Sequence, residues 1–183
     1  MGSTIIIFHD FLAEKFVIFS AFALRGTALS ANPIDITEAL AAKMNLSFSR
    51  MGDNEISIHL KADRPKYILS VVLKSDYEMI YFSCDMNLRV PKKKRVSIMD
   101  AIIRANERIW IGHFDLISVS NCIVYSLAIP FVSSFLADEE IIQSIIQLIR
   151  GECNHFYHYF SLIIEDKEVP EISSMFLETI GEA

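Results

Sequence analysis

The sequence predicts an α+β domain, a twisted antiparallel sheet with helices packed on it. Three observations carry that expectation. Tyr67–Leu73 with Met79–Met86, and Phe114–Val119 with Cys122–Ile129, are apolar, β-rich runs joined by short polar turns, so each pair reads as a hairpin. Lys92–Trp110 and the stretch after Asp138 follow 3–4 spacing instead, the period of a helix. Helices that fall between hairpins rather than between single strands point to an antiparallel sheet.

The elements follow in chain order. Residues 1–31 form an apolar extension set apart from a single domain over 32–183. Its apolar stretch uninterrupted by charge, Phe16–Leu24, falls short of the about 20 residues a membrane span needs. Asp10 and Glu14 precede that run, where a signal peptide would carry a basic region. A helix packed on the domain, an interfacial membrane anchor and an extension outside the fold stay open, with the helix preferred and membrane contact not favoured. Asn32-Pro33 ends the extension, because the residue before a proline is pushed out of the α region.

Pro33–Met44 reads as a short helix with Ile36, Leu40 and Met44 on one face, and Thr37 either in its first turn or as a cap. Leu46–Phe48 and Ile56–Leu60 read as strands around the Met51–Asn54 turn. The Tyr67–Leu73 and Met79–Met86 hairpin, nearly continuously apolar, is expected at the sheet centre with both faces covered by helices or a partner. Pro91 stands where a helix can begin. The helix Lys92–Trp110 is expected to bury Val96, Met99, Ile102, Ile103 and Ile109, and Gly112 to end it. After the second hairpin, around Ser120-Asn121, Asp138, Glu139 and Glu140 open a long helix at the positive end of its dipole. Pro170 starts a last short helix through Ile172, Met175, Phe176 and Ile180.

Composition narrows the function by exclusion. With 52% hydrophobic residues in 183, the chain can bury enough surface to offset its ordering entropy, so disorder is excluded. Its 17 basic and 23 acidic side chains, net −6 with a pI near 5.3, argue against a nucleic-acid partner. No glycine loop between strand and helix cradles phosphate, and no GxSxG elbow is present; no cofactor is expected. Cys84, Cys122 and Cys153 have no CxxC spacing and read as buried thiols of a reducing, cytoplasmic compartment.

Three clusters bear on chemistry. His155 and His158 share a helix face with Glu152, a spacing that admits a metal, but mid-helix aromatics and histidines more often pack with a polar tip, and no HExxH is present. His113 and Asp115, two apart on a strand, point to one side, where an Asp–His pair orients a general base if a pocket adjoins it. Lys92-Lys93-Lys94-Arg95 puts four cations at a helix start, where the dipole disfavours each by about 0.3–1 kcal/mol. Seven basic and three acidic side chains lie between Asp85 and Arg108, against six acids and one lysine from Glu165 to Ala183. That segregation suits a solvated face, a docking patch for an acidic partner, or a contact within a dimer.

Leu88-Arg89-Val90-Pro91-Lys92-Lys93-Lys94-Arg95 and Asn106-Glu107-Arg108-Ile109-Trp110-Ile111-Gly112-His113-Phe114-Asp115-Leu116 resemble the YbjN family of bacterial proteins, labelled sensory transduction regulators. The resemblance runs from about residue 32 to the end, through the Asn32-Pro33 entry and the Glu178–Ala183 tail, and leaves 1–31 outside. It implies a fold like the type III secretion chaperones and a homodimer. It also implies binding or regulation rather than catalysis, with no catalytic residues to carry over. Within the signature, Gly112 would free the helix-to-strand corner, Asn106 would cap buried backbone, and Trp110 and Phe114 would pack; His113 and Asp115 complete it. The first expectation is a non-enzymatic protein-binding regulator or chaperone-like module using Lys92, Lys93, Lys94 and Arg95. The alternative is a small enzyme or ligand-binding domain built on His113/Asp115 or His155/His158.

Overall fold

The computed structural model describes residues 32–60, 66–130 and 138–168. The apolar extension, the Arg64-Pro65 turn and the last short helix expected from Pro170 lie outside them. The order of elements in the described residues follows the reading above: α1 (Pro33–Lys43), β1 (Ser47–Gly52), β2 (Glu55–Leu60), β3 (Tyr67–Lys74), β4 (Met79–Arg89), α2 (Arg95–Asn106), β5 (His113–Ile117), β6 (Cys122–Pro130) and α3 (Glu139–Ile164).

The six strands form one sheet in the order β1-β2-β3-β4-β6-β5, and every neighbouring pair is antiparallel. Asparagines absorb several of its corners. Asn45, Asn87 and Asn121 take left-handed backbone, which asparagine tolerates better than most residues. Asn87 sits where the β4–β6 register breaks, its amide held by Asp85 Oδ1 at 2.7 Å.

The helices lie on one side of the sheet. α1 lies against β1, β2 and β3, α3 against β4 and β6, and α2 against β5; α3 touches both other helices. Asn32 caps α1 by accepting from the Ile34 amide, and Thr37 lies inside the helix, donating to the Pro33 carbonyl. Asp138 caps α3 in the same way. The buried row of α3 runs Ile142, Ile146, Ile149, Cys153, Phe156, Phe160 at 3–4 spacing, with Ile141, Ile145 and Leu148 at its margin.

Strands β3 and β4 alternate, so only their helix-facing side is fully buried; Ile68 on the other side is 38% exposed. Among the described residues the helices cover one face of this hairpin, and Ile68 and Val72 lie on the other, where a partner is the alternative cover expected. Across that face Ser49, Ser57, Ser70, Ser83 and Ser126 pair strand by strand in one row that ends on His113. No helix of the described residues is long and apolar enough to cross a membrane.

Candidate interaction surface

Helix α2 differs from its sequence reading in length and in buried face. Lys92–Lys94 form a 3₁₀ turn, the α-helix starts only at Arg95, and it ends at Asn106, short of Trp110. Its buried face is Ile98, Ala101, Ile102 and Ala105. The two alanines leave room for β5 and α3 to approach, so the helix turns that side inward. Of the five residues expected to be buried, only Ile102 is; Ile109 is half-buried. Val96, Met99 and Ile103, at i, i+3 and i+7, line up on the outer side and are 79%, 47% and 60% exposed. Scattered exposed aliphatics are ordinary, whereas these three form a continuous apolar strip along one helix face.

The basic turn flanks that row and is only partly paired among the described residues. Lys94 pairs with Asp166 beyond the end of α3, and Lys93 lies 3.8 Å from the same carboxylate. The Lys94 ammonium holds the Asp166 carboxyl below its usual range. Arg95 reaches Ser118 Oγ at 3.0 Å and Asn121 Oδ1 at 3.3 Å, tying the β5–β6 turn to the start of α2. That turn presents Val119, 96% exposed, while Lys92 makes no ion pair among the described residues.

The signature residues divide into two groups. Asn106 bonds both backbone groups of Phe114, accepting from its amide at 2.8 Å and donating to its carbonyl at 3.1 Å, so the end of α2 is stitched to β5. Phe114 is fully buried. Gly112 makes the corner at φ +75°, beside the Tyr125 hydroxyl, which donates to the Ile111 carbonyl. Trp110 instead stands 72% exposed, because the helix ends before it. His113 and Asp115 point away from the helices, half exposed, with His113 Nε2 3.0 Å from Asp115 Oδ2. A shallow hollow at the end of the β3–β4 hairpin, lined by Lys74, Tyr77, Met79, Tyr81 and Ala128, includes neither histidine pair.

The α3 histidines are separated by environment. His158 is exposed, while His155 is half-buried with its ring edge-on to Phe156. Among the described residues no group of three His, Cys, Asp or Glu side chains is placed to hold a metal. Contact with Cys84 and burial raise the Cys153 thiol, which therefore stays protonated and packs as a small apolar group.

Burial lowers the His155 pKa from 6.5 and raises that of Glu152 from 4.5. The folded state thus binds the His155 proton more weakly than the unfolded chain, so stability falls as pH drops through 6.5. Glu152 has the opposite sense, and its contribution declines as pH rises from 4.5 through its raised folded value. Urea midpoints of the wild type are expected to fall between about pH 7.5 and about pH 5.5, and His155→Gln to flatten that slope. Equal slopes in both proteins would remove His155 as the cause.

A family model, YbjN, described as "Putative bacterial sensory transduction regulator", matches residues 33–162. No curated protein matches the chain. Among solved structures it is similar to the ExsC–ExsE complex, with a TM-score of 0.49 and 11% identity over 73% of this chain and 97% of that one. It is also similar to the crystal structure of YbjN from E. coli, with a TM-score of 0.48 and 12% identity over 72% of this chain and 89% of that one. The HopA1–SchA chaperone–effector complex is similar with a TM-score of 0.40 and 12% identity over 70% of this chain and 99% of that one.

Proposed function

The chain belongs to the YbjN family, and from that premise we propose that it is a non-enzymatic, cytoplasmic protein-binding regulator whose partner docks on the outer face of α2. The observation that carries this reading is the aligned row Val96, Met99 and Ile103 beside the cations of Lys92 and Lys93. A segment with apolar side chains at helical spacing and an acidic flank matches that surface in shape and charge. The family's description as regulators supports it. So does the placement of His113 and Asp115, whose side chains stand half exposed on β5. Free, buried thiols fit a reducing compartment.

Met99 and Ile103 are exposed enough that Met99→Glu with Ile103→Glu leaves the core untouched, which circular dichroism checks. A photo-crosslinker at Met99 in cells is expected to trap a protein partner, and one at His59, on the far side of the sheet, to trap none. In the doubly substituted protein, affinity for the trapped partner is expected to fall about 30-fold, the loss of about 2 kcal/mol typical of a central apolar anchor. Unchanged affinity would sink the reading.

The homodimer is the second reading. A row of apolar side chains on a helix is self-complementary about a two-fold axis, so a second copy would use the same residues. Sedimentation of the wild type as a dimer, and of Met99→Glu as a monomer, would favour it over an external partner.

A further inference from the structure

The turn between β5 and β6 carries a residue that its backbone does not ask for. Ser118, Ser120 and Asn121 are ordinary turn formers, whereas Val119 is β-branched and 96% exposed, with Ile117 beside it at 41%. The turn is also firmly held. The Asn121 amide donates to the Ile117 carbonyl at 2.7 Å, and the Asn121 carbonyl accepts from the Val90 amide at 2.8 Å. Two arginines then grip it from different elements. Arg89 of β4 donates to the Ser120 carbonyl at 2.9 Å, and Arg95 of α2 donates to Ser118 Oγ and Asn121 Oδ1. Val119 is therefore presented from a loop with little ordering left to lose when a partner arrives.

Charge at this turn is unbalanced. Both guanidinium groups meet neutral oxygens, and among the described residues neither Arg89, Arg95 nor Lys92 makes an ion pair. A guanidinium offers five N–H donors. Within the described residues Arg89 uses one and Arg95 two, so both keep donors for an oxyanion. Like charges that converge on one short turn repel, and a carboxylate beside them turns that repulsion into attraction. Arg95 also joins the turn to the start of α2, which sets Val119 and the two guanidiniums at the Val96 end of the exposed row.

We propose that the partner segment lies on α2 in one direction only. Its acidic end covers Arg89, Lys92 and Arg95, and the apolar side chain next to that end packs on Val119. The inference rests on the α2 face being the docking surface; it adds the β5–β6 turn to that surface and a polarity to its occupant. A segment laid the other way would set its apolar end against three cations and strand its carboxylates over Ile103.

The test titrates the full chain against fluorescein-labelled synthetic helical peptides, read by anisotropy. All carry leucines at i, i+3 and i+7; one bears a run of glutamates at one end, a second glutamines there and a third lysines. At low salt the glutamate peptide is expected to bind about 10-fold tighter than the glutamine peptide, with the gap closing as salt rises. Val119→Asp, a change on an exposed turn, is expected to weaken the glutamate peptide at least about 10-fold. Arg89→Glu is expected to reverse the preference toward the lysine peptide, which loss of a merely structural brace would not do. A photo-crosslinker at Val119 is expected to mark the residues beside the glutamates, and one at Ile103 the far end. Equal binding of the glutamate and glutamine peptides, full affinity in Val119→Asp, or the two cross-links exchanged overturns the inference. So does displacement of the peptide by inorganic phosphate at matched ionic strength, which makes the arginines a free-anion site. A wild-type dimer that excludes every peptide gives the surface to a second copy and overturns it too. The two readings fail separately. Affinity lost in Met99→Glu with Ile103→Glu but kept in Val119→Asp leaves α2 docking intact and removes the turn, while the converse keeps the turn and removes the α2 row.

Discussion

Gly112→Ala is expected to destabilise the domain by about 2–5 kcal/mol, read as a drop in the urea midpoint at unchanged slope. Two costs add. At φ +75° an L side chain meets its own backbone, at about 1–2 kcal/mol. The new Cβ would also lie 2.5 Å from the Tyr125 hydroxyl and 2.7 Å from both Tyr125 Cζ and the Ser126 carbonyl oxygen. Neither neighbour can give cheaply. The carbonyl belongs to β6 inside the sheet, and the phenol is buried and bonded to Ile111. Overpacking of this kind costs about 1–3 kcal/mol. Gly151→Ala supplies the control. It lies in α3 with nothing within 4 Å of its added Cβ, so alanine there is expected to stabilise by about 0.5–1 kcal/mol through helix propensity. A Gly112→Ala loss below about 1 kcal/mol would mean that the corner relaxes and that glycine is not needed for this packing.

Why the element order was legible and the face of α2 was not has a physical reason. Strand and helix periods differ so much that hairpins at Tyr67–Met86 and Phe114–Ile129 announce themselves, and asparagines mark the turns at 45 and 121. α2 carries two apolar rows, however. Val96, Met99 and Ile103 satisfy 3–4 spacing as well as Ile98, Ile102 and the alanines do, and they are bulkier. Hydrophobicity selects the wrong row. What selects the right one is the small size of Ala101 and Ala105, which matters only once α3 and β5 are in place to approach them. The row of five serines across the sheet was illegible for a related reason. Each serine is unremarkable in its own strand, and their alignment depends on register, which a single strand does not encode. The charge segregation was readable as segregation, but not that Asp166 and Lys94, 72 positions apart, would meet. His113 and Asp115 do share a face, since two-residue spacing on a strand requires it.

Phe114→Ala is expected to cost about 3–5 kcal/mol, the range for removing a buried aromatic side chain and leaving a cavity. Phe114 is fully buried and stands edge-on to Tyr125, Phe156 and Phe160, each ring 5.2 Å away. Those three belong to β6 and α3, so one ring joins the edge strand to the long helix. In a domain of this size each kcal/mol moves the melting temperature by about 2–4 °C, so a fall of roughly 10 °C is expected. Phe114→Leu should recover part of it, because volume returns while the edge-on geometry does not. The deeper check is non-additivity. Phe114→Ala and Gly112→Ala both act on Tyr125, one by removing its neighbour and the other by crowding it. With Phe114 gone the phenol can yield, so the double variant should lose less than the two single losses together. Phe160→Ala should couple in the same sense. Strict additivity in both pairs, or a Phe114→Ala loss under about 1.5 kcal/mol, would mean that the ring fills space without organising its neighbours. Because Asn106 holds α2 through the backbone of Phe114 and not its ring, partner affinity in Phe114→Ala should decline only with the folded fraction. A separate loss of affinity would show that the core beneath β5 also sets the position of the proposed docking face.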